Sequence, residues 1–262
     1  VFITHLHSDH TVDLNTIGLF GLYELEARIG NPVPIFGPGD RGALPPVSQQ
    51  ATRDPQPLAP HDPTPGTRAM FENLNDRIID SLRPSPLNLF DARDIEIPED
   101  IGYHPNTRPT PEMAPFLVFE DEHVRVSAIL VEHPPIAPAF AFRFDTAQGS
   151  VVISGDTTFT PNMITISQNA GLVLHEAIDF DFIDELYAGK TDEISKASRE
   201  HHYKSHTSVE DAVRVGREAG AKRLALHHLV PGMTSPERWT GFTPDFHGEF
   251  LVPDDLEVIP FD

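Results

Sequence analysis

His5, His7, Asp9 and His10 place four candidate metal ligands within six residues of the chain. They follow a short β-branched and aromatic run, Val1 to Thr4, and precede an amphipathic stretch from about Val12 to Arg28, so the cluster reads as a loop between a strand and a helix. His5 and His7 are two apart, and at an extended strand end their side chains share a face and can bind one ion. Asp9 and His10 lie past the bend and can face a second ion nearby. A solvated polar turn would explain Ser8 or Asp9 as a helix cap, but not three interleaved histidines. Cysteine is absent, so disulfides and thiolate ligands are excluded and any metal must be held by His and carboxylate. Such a donor set fits zinc best, and iron or manganese would also accept it.

The rest of the chain reads as one layered α/β domain, residues 1–262, with an irregular insertion at 38–115. Its 39% hydrophobic content is enough for a sizeable core. Pro32 to Phe36 has strand character, Gly37 to about Pro65 is loop, and apolar spacing predicts a helix between Arg68 and Leu82. Irregular chain then runs to Pro115. An antiparallel meander is expected over Phe116–Phe119, Val124–Leu130, Ala139–Phe144 and Val151–Ser154. A buried strand at Leu172–Leu174, a helix at Val209–Ala219 and a strand at Leu224–Leu226 complete the reading. No apolar run approaches the roughly 20 residues of a membrane-spanning helix, and no membrane partner is expected. The compartment is left open by the composition.

Three later positions stand where strands end. His133 closes the alternating run before Pro134, Asp156 follows Val151 to Ile153 in Ser154-Gly155-Asp156-Thr157, and His227 and His228 end the strand at Leu226. Adjacent strand residues point to opposite faces, so only one of that last pair is expected to reach a metal. The pattern His-x-His-x-Asp-His after an apolar strand resembles the signature of the metallo-β-lactamase superfamily. That resemblance implies a four-layer αββα sandwich holding two zinc ions, with His5, His7 and His133 on one ion and Asp9, His10 and His228 on the other. Asp156 would bridge them, and the similarity of Ala225-Leu226-His227-His228-Leu229 to the family's closing motif selects His228 over His227. Most members carry several strands before the first motif, so by resemblance the fold is expected to be N-terminally incomplete.

Two further segments, Leu174-His175-Glu176-Ala177 and Ser205-His206-Thr207-Ser208, resemble the ribonuclease Z and arylsulfatase-like branch. The resemblance implies that Glu176 orients the imidazole of His206, which protonates the leaving group, while Asp9 and Asp156 orient a metal-bound hydroxide. A phosphodiester, sulfate ester or similar small anionic ester is the expected substrate. The alternatives are a lactonase or β-lactamase-like ring hydrolase on the same centre, or a noncatalytic metal-binding module.

A formal charge of −21 predicts a strongly negative average surface, and between Gly37 and Pro115 there is no Lys. Transfer RNA is therefore an unexpected partner, since gripping a phosphate backbone calls for a basic surface. The insertion reads instead as a lid over the site or as ordinary surface chain. His61, His104, His123, His201, His202 and His247 have no ligand spacing and are expected in packing or solvent roles. Relatives in this branch commonly form dimers, which makes a homodimer an expectation by resemblance alone.

Overall fold

The computed structural model describes residues 1–24, 31–47, 56–57, 59–82, 89–232, 234–242 and 246–260. Two sheets form its centre. In the smaller, β1 (Val33–Pro38) pairs in parallel with β2 (Phe90–Ile95), and α3 (Thr67–Leu82) connects them. The larger sheet has seven strands in sequential order: β3 (Phe116–Glu120), β4 (Val124–Leu130), β5 (Phe140–Thr146), β6 (Ser150–Ile153), β7 (Leu172–Ile178), β8 (Arg223–Val230) and β9 (Glu249–Leu251). The first four form the antiparallel meander expected from the alternation, and the later pairings are parallel.

Strand alternation sorts the side chains into layers. Val126, Ala128 and Leu130 of β4 join Phe140 and Phe142 of β5 and Phe36 of β1 in a core between the two sheets. Ile129 and Ala141, from the same strands, face the other way into a second core with Val152 and Val173. That core is closed by α4 (Pro161–Ile166) through Met163 and Ile166, and by α7 (Val209–Glu218) through Val209, Ala212, Val213 and Val215. On the outer face of the small sheet, Leu14 of α2 (Asp13–Glu24) and Phe71 of α3 pack on Ile3, Ile35 and Phe90. The order is helix, sheet, sheet, helix, the αββα sandwich that the motifs imply.

Several elements were not legible in the sequence. The stretch expected to be irregular before Pro115 contains β2, whose Asp91, Arg93 and Asp94 obscure a strand buried only at Phe90 and Ile95. The helices α4, α5 (Phe180–Tyr187) and α6 (Glu193–Ser205) also went unread, since α6 buries only Ser205 and so lacks an apolar stripe. The helix predicted from Val12 is α2 as far as Glu24, and its expected end at 25–28 lies outside the described residues.

Strand direction determines where the ligands gather. β4 is antiparallel to β5, which is antiparallel to β6, so β4 runs parallel to β6, β7 and β8. Their C-terminal ends therefore share one edge of the sheet, which delivers His133, Asp156, Glu176 and His228 to the same rim. Phe142 is 1% exposed in the intersheet core, with its ring 5.6 Å from Phe2. Phe142→Ala is predicted to destabilise the protein by about 3–5 kcal/mol; a denaturant midpoint giving less than about 1 kcal/mol would contradict this account of the core.

Candidate metal centre

The first ligand loop is clamped from two sides. Residues 1–3 lie beside β1, with Ile3 N–H donating to Phe36 O at 2.8 Å, and Thr4 O accepts from Phe140 N–H at 2.9 Å. The chain then turns at His7, which is extended (φ −67°, ψ 151°), into the single turn α1 (Ser8–Thr11) carrying Asp9 and His10. Opposite, Gly155 adopts φ +58°, and a Cβ there would lie 2.7 Å from Thr4 Cβ. A left-handed conformation and this close approach both call for glycine, so the turn that presents Asp156 packs directly on the loop that presents His5.

His5 Nε2 and His133 Nε2 each lie 3.1 Å from His7 Nδ1. His133 Nδ1 donates to the Ser205 carbonyl at 2.8 Å, so its Nε2 carries the lone pair. His7 Nδ1 holds at most one proton and cannot donate to both neighbours, so the three nitrogens form a group that one cation would satisfy.

A second group is formed by Asp9, His10, Asp156 and His228. His10 Nε2 lies 3.3 Å from both Asp9 Oδ2 and Asp156 Oδ2, without the alignment of a hydrogen bond. His228 Nε2 is 3.4 Å from Asp9 Oδ2 and 3.6 Å from Asp156 Oδ2. Asp156 Oδ2 is also 3.9 Å from His5 Nε2, which puts it between the groups. Converging nitrogen and oxygen donors, with Asp156 Oδ1 buried and unpartnered, fit divalent metal ions.

The choice between the paired histidines is made by the backbone. The β7–β8 register slips after Glu176 and His227, leaving His228 in a bulge at φ +48°. Bulges re-aim side chains at strand ends, and this one turns His228 into the second group. His227 joins neither group; burial, with His175 nearby, depresses its pKa to about 4.

Glu176, 0% exposed, accepts from His206 Nδ1 at 3.1 Å and from Thr157 N–H at 3.0 Å through Oε1. Burial, with Asp156 adding to it, pushes the Glu176 carboxyl well above its ordinary range. His206 sits at the C-terminus of α6, and Ser208, two residues on, caps α7, so the loop between these helices is held against β7. Burial also raises Asp156, but its contacts with His10, His228 and His5 outweigh that and hold the carboxyl below the ordinary range. For His5 and His133, burial dominates, and their pKa values fall to about 2 and about 3.

Two histidines expected in packing roles lie beside the centre. The His201 ring, on α6, is 5.8 Å from His7 and 5.6 Å from His133, and the His202 ring is 5.9 Å from His206. The run His201-His202-Tyr203-Lys204-Ser205-His206 was the available signal, legible only once α6 was known to end at this rim. His104, by contrast, accepts from Asn106 and Thr107 N–H within its own turn.

No family model matches the chain. It is 25% identical to a ribonuclease Z from Mycobacterium avium (strain 104) over 265 residues, covering 100% of this chain and 79% of the relative. A ribonuclease Z from Mycobacterium sp. (strain KMS) is 30% identical over 236 residues, 88% of this chain and 65% of the relative. Among solved structures, the short form of human tRNase Z aligns with TM-score 0.58 and 19% identity, covering 100% of this chain and 78% of that one. The metallo-β-lactamase fold protein YhfI from Bacillus subtilis aligns with TM-score 0.54 and 15% identity over 97% and 73%. The chain has the metallo-β-lactamase fold and resembles ribonuclease Z.

This likeness corrects two expectations. Transfer RNA was set aside and a small ester preferred as partner, yet the relatives matched along the whole chain are ribonucleases, and one solved neighbour is a tRNase Z. Net charge is a poor guide to the potential at one site. A charge of −21 describes the average surface, whereas a centre built for divalent cations sets its own local potential. The arylsulfatase-like half of the branch gains no support from these relatives.

The buried imidazoles make metal-free stability depend on pH. His5 and His133 stay neutral in the folded state down to about pH 2 and 3, while in the unfolded chain they take up protons near 6.5. Through these two rings the unfolded state binds more protons across that window, and their contribution to stability is predicted to fall as pH drops below about 6.5, by up to about 1.4 kcal/mol per unit for each ring, against an opposite contribution from Glu176, whose raised carboxyl takes up its proton first in the folded state. Denaturation in chelator at pH 7, 6 and 5 tests this; a flat profile would contradict it.

Proposed function

We propose that the chain is a metal-dependent hydrolase that cleaves phosphodiester bonds in RNA, with transfer RNA as its substrate class. One observation carries the reading: two groups of nitrogen and oxygen ligands meet at Asp156, with the Glu176–His206 pair against the same centre. Similarity to ribonuclease Z along the whole chain supports the choice of RNA. In this reading His5, His7 and His133 hold one ion, Asp9, His10 and His228 the other, and Asp156 both; zinc suits the donors, and iron or manganese would also be accepted.

Such ions supply Lewis acidity, lowering the pKa of water and neutralising charge on phosphoryl oxygens. The protein's own groups do the rest. Asp9, 62% exposed, stands at the solvent side of the centre and accepts hydrogen bonds from an entering water. Glu176, fully enclosed, fixes His206 through Nδ1, leaving Nε2 to give a proton to the departing oxygen. Burial holds the His206 pKa below its ordinary value, which makes its protonated form a readier donor.

Leaving-group dependence tests the assignment. A ribose oxygen needs protonation as it departs, whereas p-nitrophenolate does not. His206→Ala and Glu176→Gln are therefore predicted to slow RNA cleavage by about 10²–10⁴-fold and to slow hydrolysis of bis(p-nitrophenyl) phosphate far less, at unchanged metal content. Equal losses on both substrates would remove His206 from the acid role. Asp156→Ala is predicted to strip metal and activity together; full metal content with undiminished turnover would overturn the centre itself.

A further inference from the structure

A cleft of about 1380 Å³ opens beside the centre, reaching His7, His133 and His201 at its foot. One wall is α6, which presents Ile194, Ala197 and His201 at three- and four-residue spacing along a single face. The other is made of loops at 41–47, 105–109 and 134–137. Arg41 ties these loops together, donating to the carbonyls of Ala43 at 2.8 Å, Pro135 at 2.6 Å and Pro105 at 3.3 Å, and to Asn106 Oδ1 at 2.5 Å. Its donors are thus spent on shaping the wall. Lys204 pairs with Glu200 on the same helix, and apolar side chains including Leu44, Val47 and Ile194 are 46%, 47% and 83% exposed. A space with largely apolar walls, whose arginine spends its donors on carbonyls and whose lysine is paired, suits a flat, uncharged group.

His201 presents a defined face to that space. The Ser205 hydroxyl gives its single proton to the Pro134 carbonyl, so in its 3.0 Å contact with His201 Nδ1 the ring nitrogen is the donor. In the neutral ring His201 Nε2 is then the lone-pair acceptor. An acceptor next to a phosphate-binding centre takes a hydroxyl, and for a phosphate on a ribose 3′-oxygen the adjacent hydroxyl is the 2′.

We propose that the cleft seats the nucleoside on the 5′ side of the scissile phosphate and that His201 Nε2 accepts a hydrogen bond from its 2′-hydroxyl, making the site selective for RNA. This rests on the phosphodiesterase reading but is tested by binding alone. The full metal-loaded chain is titrated calorimetrically with adenosine 3′-monophosphate, its 2′-deoxy counterpart and inorganic phosphate, with melting temperatures reporting the fold of each variant. Expected is an affinity order of ribonucleotide, deoxynucleotide, phosphate, with the first two about tenfold apart. His201→Phe should bring that ratio to about one, and Ala197→Trp, which fills the cleft from the α6 wall, should bring both nucleotides down to the affinity of phosphate. Equal ribo and deoxy affinities in the unmodified chain, a ratio that survives His201→Phe, or nucleotides no tighter than phosphate would each overturn the proposal. A chain that selects the ribonucleotide yet fails to cleave RNA would sink the activity reading and leave this one standing.

Discussion

The carboxylate of Asp156 is the group on which the rest of the arrangement depends. It is 3% exposed and lies within 4 Å of ring nitrogens from His5, His10 and His228. Glu176 and His133, each 1% exposed or less, complete a cluster of ionisable groups withdrawn from water. Burying such groups without full compensation costs several kcal/mol, and several atoms of the centre, Asp156 Oδ1 among them, have no hydrogen-bond partner among the described residues. The fold sustains this only because the surrounding cores are extensive, and binding of divalent cations would offset the cost directly. Metal affinity and conformational stability are therefore the same problem in this molecule.

Both sheets must be in place for that cluster to exist. The large sheet brings Asp156 and His228 to the rim, whereas His5, His7, Asp9 and His10 arrive on a segment clamped between β1 and β5. The close approach of Gly155 to Thr4 joins the two at one point. Packing between the sheets, through Phe2, Phe36, Phe142 and their neighbours, thus sets the distance between the ligand groups. A displacement there would be felt at Asp156 before it was felt on the surface.

The residues that converge at the rim were more legible than several of the elements that carry them. Motif residues lie at strand ends, where apolar alternation stops and chemistry begins, so His133, Asp156 and His228 could be picked out together with the first cluster. What could not be read from spacing was the bulge that re-aims His228, because a register slip depends on both strands at once. β2 escaped because its polar residues mask a half-buried strand, and α6 because it has almost no buried face. The approach of His201 and His202 to the rim was hidden for the same reason: without α6, nothing carries them there. Charge misled differently, since a whole-chain sum is blind to where cations would sit.

The unread helix therefore has the largest bearing on function. α6 ends at His206, held by Glu176, and its exposed face forms one wall of the cleft. Along its length α6 packs on α5, through Ser198 with Tyr187, Arg199 with Asp184 and Tyr203 with Phe180, and its ends are held by the Asp192 cap at the start and the Ser205 contacts with His133 and Pro134 at the finish. Those end contacts are shared with the metal centre, because the Ser205 carbonyl that fixes the His133 tautomer belongs to the last turn of α6. Any shift of α6 would then alter three things together: the lone pair His133 offers, the reach of His206, and the width of the cleft. In the proposed reading, substrate selection and chemistry would therefore be coupled through one short segment, residues 201–206, rather than through separate parts of the molecule.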